Sequence, residues 1–339
     1  MTFIIRPARY DDLQTIYEMA KLTGGGFTNL PPDRDFLAAK LERTQDALTR
    51  TGEGIQDELV VLVLENVETG QVRGTCQIFT AVGQSAPFYS YRIGTLTQHS
   101  RELGRTFRAQ MLSLTTDLEG AAEVGGLFLH PRERAEGLGL LLARSRYLFI
   151  KRHRERFGDK ILAELRGVID DAGGSPFWDG LAGRFFGMSF QEADEFNAIN
   201  GHQFIADLMP KTPIYIDMLT DGARDVIGRP HPTGRAAMRM LEKEGFENSG
   251  YIDIFDGGPT LVGQIDNLKS VANARRMKFA GIHEARGEKI LAATGQLADF
   301  RCAFAQALIR TTDDTIQLDA QSAKALGLHP GDELLIVER

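Results

Sequence analysis

The stretch Glu123–Arg146 reads EVGGLFLHPRERAEGLGLLLARSR. Val124–Leu129 is a short apolar run suited to a buried strand, and Pro131 ends it. Arg134, Gly137 and Gly139 follow, then an apolar helical run through Leu138, Leu141, Leu142, Tyr147 and Leu148. Strand, glycine loop and helix N-terminus in that order make an anion site. Glycines let the backbone approach closely and adopt positive φ. The first helical amides have no internal partner and point outward. Dipole and amides together hold a phosphate. Arg132 and Arg134 can add charge. The bland alternative is a tight strand-to-helix turn that binds nothing.

With 339 residues the chain is longer than one ordinary domain. A hydrophobic content of 42% and a charged content of 25% describe a soluble globular protein. The net charge of −7 argues against a nucleic-acid partner. Cys76 and Cys302 stand far apart, which predicts neither a disulfide framework nor a metal site. Both thiols are expected reduced, in a cytoplasmic protein. The N-terminal MTFIIRPARYDDL lacks a signal-peptide apolar core, and no run is long enough to span a bilayer. No membrane partner is expected.

Before the deciding stretch, Thr2–Arg6 reads as a strand and Asp33–Arg50 as a helix. Between them, Thr23–Thr28 reads as a glycine-rich helix stop. Leu59–Leu64 is a continuous aliphatic run, hence a buried strand, and Glu68–Gln71 turns it into a partner strand. Gly83–Ala122 is then an insertion into a compact α/β core. It carries Tyr89, Tyr91 and Arg92, a pattern that can bind a carboxylate and a flat stem or be an aromatic edge strand.

Beyond it, Lys151–Arg156 reads as a solvated helix end, His153 included. Asp159–Ile169 reads as a strand, and Ser175 opens a helix with Trp178 in the core that runs to Phe185–Phe190, ends in G-x-x-F and is followed by a return strand. Ala236–Glu244 repeats the order helix, glycine, phenylalanine, strand. Asn267–Phe279 reads as a helical connector. The remainder is a small β-barrel module in which His283 and His329 are loop residues.

R-x-x-G-x-G after a strand resembles the coenzyme A pyrophosphate loop of the GNAT acyltransferase superfamily. Further stretches resemble the arginine N-succinyltransferase family within it: Tyr89–Thr95, Leu127–Leu129, Arg166–Asp170, Ser175–Trp178, Phe204–Lys211, Asp225–Pro232 and Tyr251–Pro259. The resemblance implies an α/β (α+β) fold, a GNAT-type mixed twisted sheet flanked by helices. A GNAT-like domain over 1–190 is expected. A degenerate second GNAT-like unit over 191–266 and the barrel-like module over 280–339 would follow.

It also implies succinyl transfer from succinyl-CoA, as co-substrate rather than prosthetic group, to the α-amine of L-arginine. Ornithine as acceptor, and a silent acyl-CoA-binding regulatory subunit, remain alternatives. On the family pattern Leu127, Phe128, Leu129, Arg134, Gly137, Leu138 and Gly139 meet the acyl-CoA, and His231 is the proton donor. At Gly228–Pro232 the histidine and following proline match the family, while Arg229 and Pro230 depart from it. Charge complementarity nominates Arg92 and Arg166 for the succinyl carboxylate. Glu164, Asp170, Asp253 and Asp256 are candidates for the substrate guanidinium, and Lys211 or Arg229 for its carboxylate. No metal is needed for an already activated thioester. A homo- or hetero-oligomer is compatible with these features.

Overall fold

The computed structural model describes residues 2–23, 29–134, 137–200 and 203–339. The glycine-rich stop expected at Thr23–Thr28, apart from its first residue, and two loop positions, 135 and 136, lie outside the described residues. The chain folds as two compact units: residues 1–81, 122–159 and 265–339, and residues 82–121 with 160–264. The insertion expected at Gly83–Ala122 is thus the first piece of the second unit.

The first unit opens with β1 (Phe3–Pro7), α1 (Leu13–Lys21), α2 (Arg34–Thr49), β2 (Leu59–Asn66) and β3 (Val72–Phe79). Gly70, at φ 67°, makes the β2–β3 turn. The chain then leaves for β4 (Ser90–Ser100) and β5 (Arg105–Thr115), and returns as β6 (Ala122–Leu129) and α3 (Leu138–Arg152). Strands β1, β2, β3 and β6 pair antiparallel in that order. β2 is aliphatic on both faces because both are covered. Val61 and Val63 pack with Ile16, Met19, Leu37 and Leu41 of α1 and α2. On the other face lies α3: the Cys76 thiol reaches the Leu142 carbonyl, and a side chain at Gly74 would strike Leu142.

The chain next supplies the second unit with β7 (Lys160–Glu164), α4 (Pro176–Gly180), α5 (Gly183–Phe186), α6 (Phe190–Asn200), α7 (Gln203–Leu208), β8 (Ile214–Tyr215), α8 (Asp221–Val226), α9 (Arg235–Glu244), β9 (Glu247–Asp253) and β10 (Pro259–Gln264). Its sheet runs β7-β10-β9-β4-β5-β8, antiparallel throughout. Trp178 and Phe177 are fully buried in its core, as expected for Trp178, whose indole N–H donates to the Met188 carbonyl. Three expectations are corrected here. β7 ends at Glu164, since Arg166–Asp170 is loop. The helix from Pro176 breaks at Leu181. Phe190 opens α6 instead of a return strand, so the helix–glycine–phenylalanine–strand order occurs once, at Arg235–Asp253.

Residues 265–339 return to the first unit through α10 (Lys269–Ala272), β11 (Arg275–His283), β12 (Glu288–Thr294), β13 (Arg301–Arg310), β14 (Thr315–Asp319), α11 (Ala320–Leu326) and β15 (Glu333–Glu338). The helical connector expected over Asn267–Phe279 is corrected: Met277 and Phe279 alternate inward on β11, a strand period. The order β12-β15-β11-β14-β13 closes through β12–β13 into a five-stranded barrel. Ala292, Ala303, Ala305 and Ala307 line it, small enough for so narrow an interior. Ile5 pairs with Cys302, joining barrel and sheet.

His153 is not solvated. Its ring lies 4.6 Å from that of Phe149, and its Nε2 accepts the Leu297 N–H at 3.2 Å. Burial, then Arg156 and Arg152, pull its pKa down to about 4. His283 likewise ends β11 buried, its Nε2 3.1 Å from the Gln306 carbonyl.

The His153 value lies below the free-imidazole range, so the folded state resists protonation. Between pH 6.5 and about 4 the unfolded chain binds a proton that the folded chain does not. Stability therefore drops as the pH is lowered through that window, by about 1.4 kcal/mol per pH unit. His153→Gln keeps an acceptor and removes the slope. Urea melts of both proteins from pH 8 to 4.5 should give a stability difference that is flat above pH 7 and changes steadily below pH 6.5.

Candidate active site

Two constellations carry chemistry, one in each unit. In the first unit, β6 carries a bulge. Thr75 pairs with Phe128 but Gln77 with Gly125, so Gly126 and Leu127 together face Cys76. Gly126 takes φ 56°, and the Gln77 side chain occupies the place of its missing Cβ. Beneath it, Lys40 donates to Gln77 Oε1 at 3.0 Å and to the Asn29 carbonyl at 2.9 Å. Burial pulls the Lys40 pKa down to about 7, against the opposing pull of Glu123. Leu127 and Leu129 are half-buried, and Phe128 points into the core. The ladder is thus interrupted at Leu127, one of the residues expected to meet the acyl-CoA.

The loop then reaches Arg134, exposed, and Gly137, at φ 82° and ψ 16°. Gly137, as the N-cap, brings no side chain to cap α3, and the first turn carries no carboxylate. Leu138 is buried and anchors that turn, while Gly139 leaves it low-profile. A helix whose first turn carries no acidic group suits an anion at its start. The Arg339 guanidinium lies 2.6 Å from where a Gly137 Cβ would sit, so a second cation stands at this turn.

In the second unit, His231 sits half-buried ahead of a turn at Pro232–Gly234. Its Nδ1 accepts the Thr233 N–H at 3.3 Å and lies 2.7 Å from the Thr233 hydroxyl. That pattern puts the proton of the neutral ring on Nε2; this tautomer is assigned from the hydrogen bonds. Burial and the nearby Arg166 lower its pKa.

A backbone knot holds the histidine. His231 N–H donates to the Arg166 carbonyl at 2.8 Å, and Gly228 N–H to the Gly257 carbonyl at 2.9 Å. The Asp256 carboxylate takes Gly167 N–H at 2.7 Å and Gly258 N–H at 2.8 Å. A Cβ at Gly258 would come within 2.0 Å of the Leu165 carbonyl, so three backbone segments meet where only glycine fits. Burial, then Asp253, push the Asp256 pKa up to about 7; the two amides and Arg166 oppose the shift. Sequence reasoning placed Asp256 among guanidinium partners and missed this clamp. The pair Gly257-Gly258 was the available signal.

The other nominated residues scatter. Arg92 is exposed, 3.4 Å from Asp117 and over the Tyr251 ring. Tyr91 points the opposite way, fully buried edge-on to Phe177. Tyr89 lines a cavity of about 390 Å³ with Leu114, Thr115, Thr116 and Lys211. Asp170 Oδ1 folds its own loop, taking the N–H of Ala172 and Gly174, and Asp253 does the same for Phe255 and Asp256. Glu164 ends β7, 3.4 Å from the Thr260 hydroxyl. Arg229 is exposed beside the histidine loop. No cluster of metal-ligating side chains occurs among the described residues, and no described helix is long and apolar enough to cross a membrane.

The profile of the arginine N-succinyltransferase beta subunit matches residues 3–270, and the profile of that beta subunit's C-terminal domain matches residues 275–338. The chain belongs to the arginine N-succinyltransferase family. A curated member from Escherichia fergusonii is 42% identical over 342 residues, covering 98% of this chain and 97% of its own. One from Escherichia coli has the same identity and coverage. The solved arginine/ornithine succinyltransferase subunit AI from Pseudomonas aeruginosa superposes with a TM-score of 0.90 at 30% identity, over 99% of this chain and 98% of that one. The family is one of acyltransferases, and the break between its two profiles falls just before β11.

Removing the clamp tests the knot directly. Asp256→Ala leaves two buried N–H groups unpaired, at a cost on the order of 3 kcal/mol. Thermal melts should show a fall in Tm of several degrees; an unchanged Tm would show that the loops hold without it.

Proposed function

We propose that this chain transfers the succinyl group of succinyl-CoA to the α-amino group of L-arginine. The observation that carries the reading is the identity of 42%, over nearly their whole length, with relatives named arginine N-succinyltransferase. The geometry supports it in parts. The amides opening α3, with Arg134, suit the coenzyme pyrophosphate. The interrupted ladder at Gly126–Leu127 suits the thioester, with strand amides as oxyanion donors.

The chemistry then needs proton management. The acceptor ammonium gives up a proton to become a nucleophile. Its nitrogen bonds the thioester carbon, the C–S bond breaks, and the departing thiolate takes a proton. His231 serves this traffic. The Thr233 hydroxyl donates to Nδ1 of the neutral ring and accepts from Nδ1–H of the imidazolium, so the ring keeps its partner in both states. A lowered pKa leaves the ring neutral at pH 7 and makes its cation a stronger acid.

Lys211, in the cavity with Tyr89 and two threonine hydroxyls, takes the acceptor carboxylate in this reading. Arg166 takes the succinyl carboxylate, and Glu164 the guanidinium. Ornithine is a second acceptor to consider, because the Pseudomonas aeruginosa relative is named for both amino acids.

A thiol-release assay should cross succinyl- and acetyl-CoA with arginine, ornithine and lysine. Release with succinyl-CoA and arginine is expected, and release confined to acetyl-CoA would contradict the assignment. His231→Ala should cost about 10²–10⁴-fold in kcat at unchanged coenzyme affinity. Lys211→Met should raise KM for the amino acid alone; a rise in the coenzyme KM would move Lys211 to the other substrate.

A further inference from the structure

One row of side chains crosses four strands of the second unit's sheet. Glu164 of β7 pairs with Thr260 of β10, Thr260 with Tyr251 of β9, and Tyr251 with Arg92 of β4. Their chain neighbours Tyr91 and Ile252 face the apolar core, so Arg92 and Tyr251 face away from it. The Thr260 hydroxyl lies 3.4 Å from Glu164 Oε1, and the Arg92 guanidinium lies over the Tyr251 ring, 5.7 Å from its centre. All four side chains therefore share one face. Thr260 is fully buried, while Glu164 and Tyr251 are half-buried and form the surface of the row beside Arg92.

Two features fit this surface to a guanidinium. The first is Arg92 itself, since the Tyr251 ring already holds such a group within cation–π range. The Tyr251 hydroxyl donates to Asp117 Oδ2 at 3.1 Å, and Arg92 reaches the same oxygen at 3.4 Å, so the ring is braced from the β4 side. Burial, then Asp117, hold the Tyr251 pKa above its ordinary value, and the hydroxyl stays a donor at neutral pH. The second feature is the span on the other side of the ring. Glu164 and Tyr251 stand two strand spacings apart, about 10 Å. A guanidinium about 4 Å from a ring, with hydrogen bonds of about 2.8 Å to a carboxylate, fits that span. Asp117 also ties the row to the cavity of Lys211: its N–H donates to Thr115 Oγ1 at 3.2 Å, and Thr115 lines that cavity.

We propose that Tyr251 selects arginine over ornithine: the acceptor's guanidinium stacks on its ring and pairs with Glu164, while Arg92 and Asp117 hold the ring from the other side. The inference rests on the acceptor reading given above. Ornithine's terminal ammonium ends two bonds short of a guanidinium's outer nitrogens and has no planar face to stack. It gains less from both partners.

Tyr251→Val, which keeps a strand-forming residue, should raise KM for arginine about tenfold and KM for ornithine by less than about twofold, with KM for succinyl-CoA unchanged. Tyr251→Phe keeps the ring and should recover most of the loss. A second measurement uses the wild-type chain with ring-labelled tyrosine, saturated with coenzyme A. Arginine should shift the Tyr251 resonance, identified as the signal missing from Tyr251→Phe, and ornithine should shift it less. The proposal is overturned if Tyr251→Val changes KM for arginine and ornithine alike. It is equally overturned if arginine leaves the Tyr251 signal in place while the wild type still succinylates arginine. A wild type that releases no thiol with arginine overturns the acceptor reading, and this inference with it.

Discussion

A left-handed glycine at the mouth of α3 is the constraint on which the first unit depends. Gly137 turns the chain from β6 into the helix at φ 82°, a conformation that costs any residue with a Cβ. The same absent Cβ makes room for the Arg339 guanidinium, itself stacked 4.2 Å over the Phe304 ring of the barrel. Further along α3, Arg144 reaches Ser270 at 2.8 Å and the Glu338 carbonyl at 2.6 Å. Sheet, helix and barrel are thus fastened along one element. The N-terminal end of α3 carries no acidic residue in its first turn.

The second unit solves a different problem, which is to hold a histidine without burying it. It does so through main chain rather than side chains. The Arg166 and Gly257 carbonyls fix the loop on either side of Pro230, and Asp256 fixes the segments that bear those carbonyls. Side-chain freedom is confined to the ring, whose Nδ1 is held by Thr233. Such support makes a rigid frame around the ring. Arg229 and Pro230 depart from the family segment at the point where backbone bonds, not those side chains, set the loop.

Much of the frame was legible in the residues. Leu59–Leu64 and Val124–Leu129 read as buried strands because aliphatic runs of that length have few other stable places. The glycine before an apolar helix marked the turn that opens α3 for the same local reason. Alternation exposed most of the barrel strands. The failures share a cause as well. β5, RTFRAQMLSLT, has little periodicity because little packs on its ribbon. His153 was hidden by flanking arginines, although it faces Phe149 four residues earlier on the helix. Asp256 takes the amide of Gly167, 89 residues away, and no local pattern announces a long-range backbone contact.

Hydrogen exchange offers the most direct measurement of the central claim that the β6–α3 turn grips the coenzyme. Free protein and protein saturated with succinyl-CoA should be compared peptide by peptide. Slowed exchange concentrated over residues 124–142, strongest at the first amides of α3, is the result expected. Protection that falls elsewhere, with the 137–140 amides exchanging as fast as in the free chain, would contradict it.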